Sequence, residues 1–286
     1  MGGRGGQQQH YLSVVPIPKR SLSQNFLSDP RILSRIADAV GATKDDTVLE
    51  IGPGPGGLTG QLIERAGRVY AIEKDRDMIA GLRTRFSGLV LAEGDALELD
   101  WHALVGGPFL VAGNIPYNIT SPLIDKALTP PRPARVVYLV QKEVAERVAA
   151  GPGSKEYGAL SVGVQAVTKP ERLFTVPKGA FFPVPKVDSA VLKMTPLAEP
   201  LISDAEVEPF RRFVVGMFGY RRKQLVRALR EHLGNGGPGS ARPRLDAEQA
   251  HAIVARAGFD PTARGEELSP KEFVELFRAA KPAAGF

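Results

Sequence analysis

The sequence predicts an α/β fold, a doubly wound parallel sheet with an antiparallel edge hairpin, followed by a small C-terminal all-α domain. Three observations predict it. Short Val-, Ile- and Leu-rich runs alternate with amphipathic helix-length segments over the first two-thirds of the chain. Two strand-like runs then follow each other with no helix between them. After a linker, the apolar spacing is helical to the end.

The runs TVLEIG (47–52), RVYAIE (68–73), LVLAEGD (89–95), PFLVAGN (108–114) and RVVYLVQ (135–141) read as buried parallel strands. Between the first two, Leu58, Leu62, Ile63 and Ala66 mark a helix over 56–67. Met78, Ile79, Leu82 and Phe86 mark another over 75–86. ERLFTVP (171–177) and VDSAVLKMTP (187–196) form the expected edge hairpin, joined by the Pro-rich KGAFFPVPK (178–186). The stretch 197–206 reads as a linker, and the Gly-rich 234–243 as a mobile interruption of the helical region. The expected division is a flexible tail over 1–18, an α/β domain over 19–198 and a helical domain over 199–286.

The chain has 286 residues, of which 43% are apolar, enough for a sizeable core. It has no apolar run of membrane-spanning length and no secretory h-region, which favours the cytoplasm. There is no cysteine, which excludes disulfides, thiolate metal sites and cysteine nucleophiles. His10, His102, His232 and His251 are scattered without metal-ligand spacing. The net charge of +6 is mild support for a polyanionic partner.

The chemistry gathers at the carboxyl ends of the expected strands, the ligand edge of an open α/β sheet. Gly52, Gly54 and Gly57 match G-x-G-x-x-G between strand and helix, where glycine lets a ligand approach the backbone. Glu73 ends the second strand about 20 residues beyond Gly52, where an acceptor-only carboxylate takes two ribose hydroxyls. Asp95 ends the third and can accept from an adenine amine. Each alone fits a tight turn or a helix cap equally well; three in register point to an adenosine-type ligand. A nicotinamide dinucleotide, and hence a dehydrogenase, remains an alternative. Pro53 and Pro55 remove N–H donors that a pyrophosphate needs, which favours S-adenosylmethionine.

Asn114 ends the fourth strand on the same edge, in GNIPYNITSP (113–122). Beside a methyl sulfonium, the acceptor must be a weak nucleophile that needs orienting, and adenine N6 fits. The Asn114 amide oxygen and the Ile115 carbonyl can each accept one N6 hydrogen. Pro116 helps hold that carbonyl, and Tyr117 offers a stacking face.

These residues resemble a known family. NIPY is similar to the motif of adenine amino-methyltransferases. SQNFLSD (23–29), EIGPGPGGLT (50–59), GNIPYNITSPL (113–123), PGSKEYGALSV (152–162), AFFPVPKVDSAV (180–191) and FGYRRKQLVRAL (218–229) resemble the KsgA/Dim1 family of small-subunit rRNA adenine N6,N6-dimethyltransferases. The resemblance implies a Rossmann-like class I methyltransferase sheet. It also implies dimethylation of two adjacent adenosines in the 3′-terminal hairpin of small-subunit (16S) rRNA, a pre-30S partner and a role in ribosome biogenesis. By match of motif, Asn25, Leu27, Gly52, Glu73, Asp95 and Asn114 would hold the donor, with Gly54 in the same loop. Phe181 would sandwich the flipped adenine opposite Tyr117, and Phe182 would fill the core. Where the family usually has glycine, this chain has Ser23, closer to the erythromycin-resistance methylases of large-subunit rRNA. That class stays open as an alternative, as does a non-catalytic ribosome assembly factor.

The segment 211–230 holds seven basic residues and no acid. Arg211, Arg212, Arg221, Arg222, Lys223 and Arg227 are therefore the expected phosphate contacts. Lys19, Arg20 and Lys186 are expected to extend that surface. The expected state is a monomer.

Overall fold

In the computed structural model of the chain, residues 18–234 and 245–284 are described. The tail expected over 1–18 lies outside them except for its last residue, and the interruption expected over 234–243 except for its first.

The elements run in chain order as β1 (Phe26–Leu27), α1 (Pro30–Val40), β2 (Thr47–Ile51), α2 (Gly57–Arg65), β3 (Arg68–Glu73), α3 (Arg76–Arg85), β4 (Leu89–Glu93), α4 (Trp101–Val105), β5 (Leu110–Asn114), α5 (Thr120–Leu128) and β6 (Arg135–Gln141). Then come α6 (Lys142–Ala149), α7 (Ala159–Gln165), β7 (Thr168–Val176), β8 (Phe181–Phe182), β9 (Ser189–Pro196), α8 (Val207–Phe218), α9 (Leu225–Gly234), α10 (Ala247–Arg256) and α11 (Pro270–Ala284).

Helix boundaries follow from local chemistry. At α1, the Asp29 carboxylate accepts from the N–H groups of Arg31 and Ile32, Pro30 takes the first turn, and Gly41 at φ 64° ends the helix. Its Leu33, Ile36, Ala37 and Val40 share one buried face. At Gly56, φ is 83° and a side chain would strike the Phe86 ring at 2.4 Å, so glycine is required twice over.

Seven strands form one sheet in the order β4-β3-β2-β5-β6-β9-β7. The first five are parallel, in registers such as Thr47↔Arg68, Val48↔Leu110 and Leu110↔Arg135. β9 runs antiparallel to β6, with Val136 opposite Met194. The expected hairpin strands thus close one side, β7 outermost. Between β2 and β5 the chain reverses its direction of build, and two neighbouring carboxyl ends separate into a crevice. A second, two-stranded sheet is new to the structure: β1 pairs antiparallel with β8, Phe26 opposite Phe182 and Leu27 opposite Phe181.

The chain divides into two units. The first runs to Ala145 and resumes over Glu171–Pro196; the second takes Glu146–Pro170 and the chain from Leu197 onward. Within the second, Phe210, Phe213, Val214 and Met217 form the buried face of α8, and the Tyr157 hydroxyl donates to the Leu268 carbonyl at 2.7 Å. The basic segment 211–230 is not one helix: α8 stops at Phe218, and α9 starts at Leu225. No helix of the described residues is long and apolar enough to cross a membrane.

Among the described residues, Ser23 is the non-glycine residue with φ in the left-handed region, at 51°. A Cβ there costs about 1–2 kcal/mol. Ser23→Gly is therefore expected to stabilise the donor-free protein by up to about 1 kcal/mol after the extra chain entropy of glycine is subtracted. Urea unfolding of the two forms measures this.

Candidate active site

The crevice is a cleft of ≈ 180 Å³ at the carboxyl ends of β2, β3, β4 and β5. Asn25, Leu27, Gly52, Gly54, Glu73, Asp95, Asn114, Ile115, Pro116 and Tyr117 all line it. The sequence-predicted constellation is thus brought together at one place, Phe181 excepted.

Glu73 organises one wall. It is buried at the end of β3, and its two oxygens accept from Asp75 N–H at 2.8 Å and Gly54 N–H at 2.9 Å. Burial pushes its carboxyl upward, opposed by those backbone donors. Each oxygen keeps a lone pair for a ligand hydroxyl. Asp95 accepts from Leu97 N–H at 2.8 Å and from the Lys74 ammonium at 2.7 Å. The Lys74 ammonium holds it below the usual carboxylate range, so it is an anionic acceptor. Gly52 has φ 66°, and a Cβ built on it meets no atom within 4 Å. Any side chain there would enter the cleft. Two acceptor carboxylates flanking an open glycine cradle fit the ribose and adenine of S-adenosylmethionine.

The segment ahead of β1 forms another wall, with Ser21, Gln24 and Asn25 in the lining. It is pinned to the start of α3: Lys19 Nζ lies 2.5 Å from Asp75 Oδ1 and 2.6 Å from Asp77 Oδ2, and Gln24 donates to Asp75 at 2.8 Å. Burial works against an ionised Asp75, but Lys19 and Gln24 outweigh it and keep the group below its ordinary range. Lys19 is thus engaged within the fold, which corrects its expected place on the RNA-binding surface.

On the opposite side, Asn114 Nδ2 donates to the Asn25 carbonyl at 2.8 Å. With the amide nitrogen so engaged, Oδ1 is left as the acceptor. Ile115 N–H is used by the Leu139 carbonyl at 3.0 Å. The Tyr117 hydroxyl is 2.8 Å from Ser189 Oγ, and burial raises its pKa, so the phenol stays protonated. That bond anchors the ring across 72 residues of sequence.

The two rings of β8 lie on opposite faces, Phe181 inward. It is 3% exposed, faces the core with Leu27 and Leu33, and is absent from the cleft lining. Phe182, expected in the core, is 47% exposed. The cause is the β1–β8 pairing, which alternates the two rings between faces. The basic segment is also more engaged than its sequence implies. Arg211 reaches Glu208 at 2.9 Å, and Arg221 reaches Glu266 at 2.5 Å while donating to the Ser154 and Lys155 carbonyls. The acids lie outside the 211–230 window. Arg212, Arg222 and Arg227 are exposed, Lys223 half-buried.

Glu50 escaped the sequence reading. It lines the cleft floor, fully buried, and accepts from Thr59 Oγ1 at 2.6 Å. Its signal was there: a single acid in an otherwise apolar strand. Burial pushes its carboxyl up to about 8.

Sheet order and cleft together define a class I methyltransferase that uses S-adenosylmethionine. The family model described as ribosomal RNA adenine dimethylase matches residues 18–243, and the chain belongs to that family. A Geobacter sulfurreducens protein named ribosomal RNA small subunit methyltransferase A is 42% identical over 93% of this chain and 96% of its own. Among solved structures, a dimethyladenosine transferase from Plasmodium falciparum superposes with a TM-score of 0.76 at 27% identity, over 90% of this chain and 98% of that one. The 23S rRNA methyltransferase ErmE gives 0.67 at 28% identity, over 89% and 98%. The dehydrogenase and the non-catalytic factor fall away.

Glu50 yields a stability prediction. Its ordinary value is 4.5 and its folded value about 8, so the folded state holds a proton that the unfolded state releases. The stability conferred by the neutral form is complete below about pH 4.5 and is lost as pH rises to about 8. Urea unfolding of donor-free protein should show this as a loss of roughly 1.4 kcal/mol per pH unit across the window. Glu50→Gln, which keeps an acceptor for Thr59, should remove that component.

Proposed function

We propose that this enzyme transfers methyl groups from S-adenosylmethionine to N6 of two adjacent adenosines in the 3′-terminal hairpin of small-subunit (16S) rRNA. It acts as a cytoplasmic monomer on a pre-30S particle during ribosome biogenesis. The small-subunit target is supported by the printed name of the 42%-identical relative. It is favoured over the large-subunit alternative by the higher superposition of the dimethyladenosine transferase than of ErmE.

The observation that carries the mechanism is the Asn114–Asn25 hydrogen bond. It turns Asn114 Oδ1 into a fixed acceptor at the rim of the cleft. In this reading Asn114 Oδ1 accepts one N6 hydrogen and the Ile115 carbonyl the other. The two acceptors draw the nitrogen out of conjugation and aim its lone pair into the cleft. Pro116 restrains the carbonyl, and Tyr117, anchored by Ser189, stacks on the base for ~1–3 kcal/mol. When bound, S-adenosylmethionine supplies an electrophilic methyl on a sulfonium. The N6 nitrogen held by Asn114 and Ile115 would take that methyl, and the proton it then sheds would pass to solvent. No strong side-chain base is needed, and catalysis is positioning and electrostatics.

Donor binding falls to Glu73 for the ribose, Asp95 for the adenine amine, and Gly52, Gly54, Asn25 and Leu27 for shape. The helical unit supplies RNA contacts through Arg212, Arg222, Lys223 and Arg227, with Arg211 and Arg221 ordering that surface through their ion pairs.

Asn114→Ala should lower transfer by roughly 10²–10³-fold while donor affinity, measured by calorimetry, changes little. Equal loss of both would count against its role. Glu73→Ala should weaken donor binding by about ten-fold or more through lost charge-assisted bonds, and an unchanged dissociation constant would refute the ribose assignment.

A further inference from the structure

The loop from Pro177 to Val187 has a composition that solvent does not explain. Phe182 is 47% exposed, Val184 62% and Val187 44%. Lys178 and Lys186 are exposed in the same loop, which contains no acid. The loop is rigid at its ends and within. Pro183 and Pro185 fix φ, Lys178 N–H donates to the Asp188 carboxylate at 2.9 Å, and Ser189 holds the Tyr117 hydroxyl.

Its position follows from register. Phe182 lies opposite Phe26, and cross-strand partners project to one face. Both residues of β1, Phe26 and Leu27, line the donor cleft, so β8, paired to β1, lies beside it, and Phe181 packs into the core. Phe182 therefore stands next to a strand that borders the cleft, with its ring half in solvent. An exposed aromatic face between cations, adjoining an adenine-modifying site, matches a nucleic-acid strand: a π face for a base and charges for phosphates. A second copy of the chain would bring the same lysines against each other.

We propose that this loop engages the rRNA strand flanking the target adenosine, with Phe182 stacking on a neighbouring base exposed when the target leaves its stack. The proposal rests on rRNA being the substrate. It adds an RNA-binding surface to the α/β unit, apart from the basic helical segment and from the groups that hold the reacting base.

The test uses small ribosomal subunits lacking dimethyladenosine, with subunit affinity, methyl transfer and donor affinity measured for each form. Phe182→Ala and Phe182→Leu should both weaken subunit binding roughly 5- to 100-fold, while Phe182→Trp binds as the wild type does. Joint replacement of Lys178 and Lys186 by Ala should lower the salt dependence of binding by about two phosphate contacts. Donor affinity should stay unchanged throughout, which also reports intact folding. Unchanged binding by Phe182→Ala would overturn the proposal alone. Full binding by Phe182→Leu would also overturn it, by marking a generic apolar contact such as a protein partner makes. Wild-type enzyme that neither binds nor methylates these subunits would overturn the target reading, and this proposal with it.

Discussion

The site depends on one desolvated carboxylate. Glu73 closes β3 and uses both oxygens to grip backbone N–H groups on either side of it, one in the glycine loop after β2 and one at the head of α3. Burying a carboxylate is costly unless its lone pairs are met by donors. Here the donors belong to the two segments whose spacing defines the cleft. The charge that would bind a ribose is thus the charge that keeps the ribose site open. Asp75, two residues on, repeats the arrangement in ionic form with Lys19 and Gln24.

Much of this was legible in the sequence, for physical reasons. Four parallel strands buried on both faces, and the half-buried β4 beside them, read as unbroken apolar runs, and each ends within a few residues of where its polar terminus announces it. Gly52, Glu73, Asp95 and Asn114 were placed together because an open parallel sheet gathers its carboxyl ends. What failed was pairing at long range. Nothing local in Phe26–Leu27 says that it will meet Phe181–Phe182, and without that pairing two adjacent phenylalanines cannot be sorted into inner and outer. Likewise, the acids that engage Arg211 and Arg221 lie outside the basic window, so a count of residues within it overstated the free charge.

Glu50 and Glu73 illustrate how burial separates like groups. Both are carboxyls in the same cleft, within reach of one another's field. Glu73 is met by two backbone donors, Glu50 by the Thr59 hydroxyl. Burial pushes the Glu50 carboxyl up to about 8, so it retains its proton at neutrality and is a hydrogen-bond donor as well as an acceptor on the cleft floor.

One wall of the cleft does not belong to the sheet at all. Residues 21–25 are held against it by the Lys19 tether to the start of α3, by Gln24 on Asp75 and by the Asn114 amide on the Asn25 carbonyl. A protease cut just ahead of Phe26 would strip that wall, remove the partner of the Asn114 amide and strand a buried aspartate without its counter-ion. The stretch from Lys19 to Asn25 is therefore working architecture, and any truncation from that side has to stop short of Lys19.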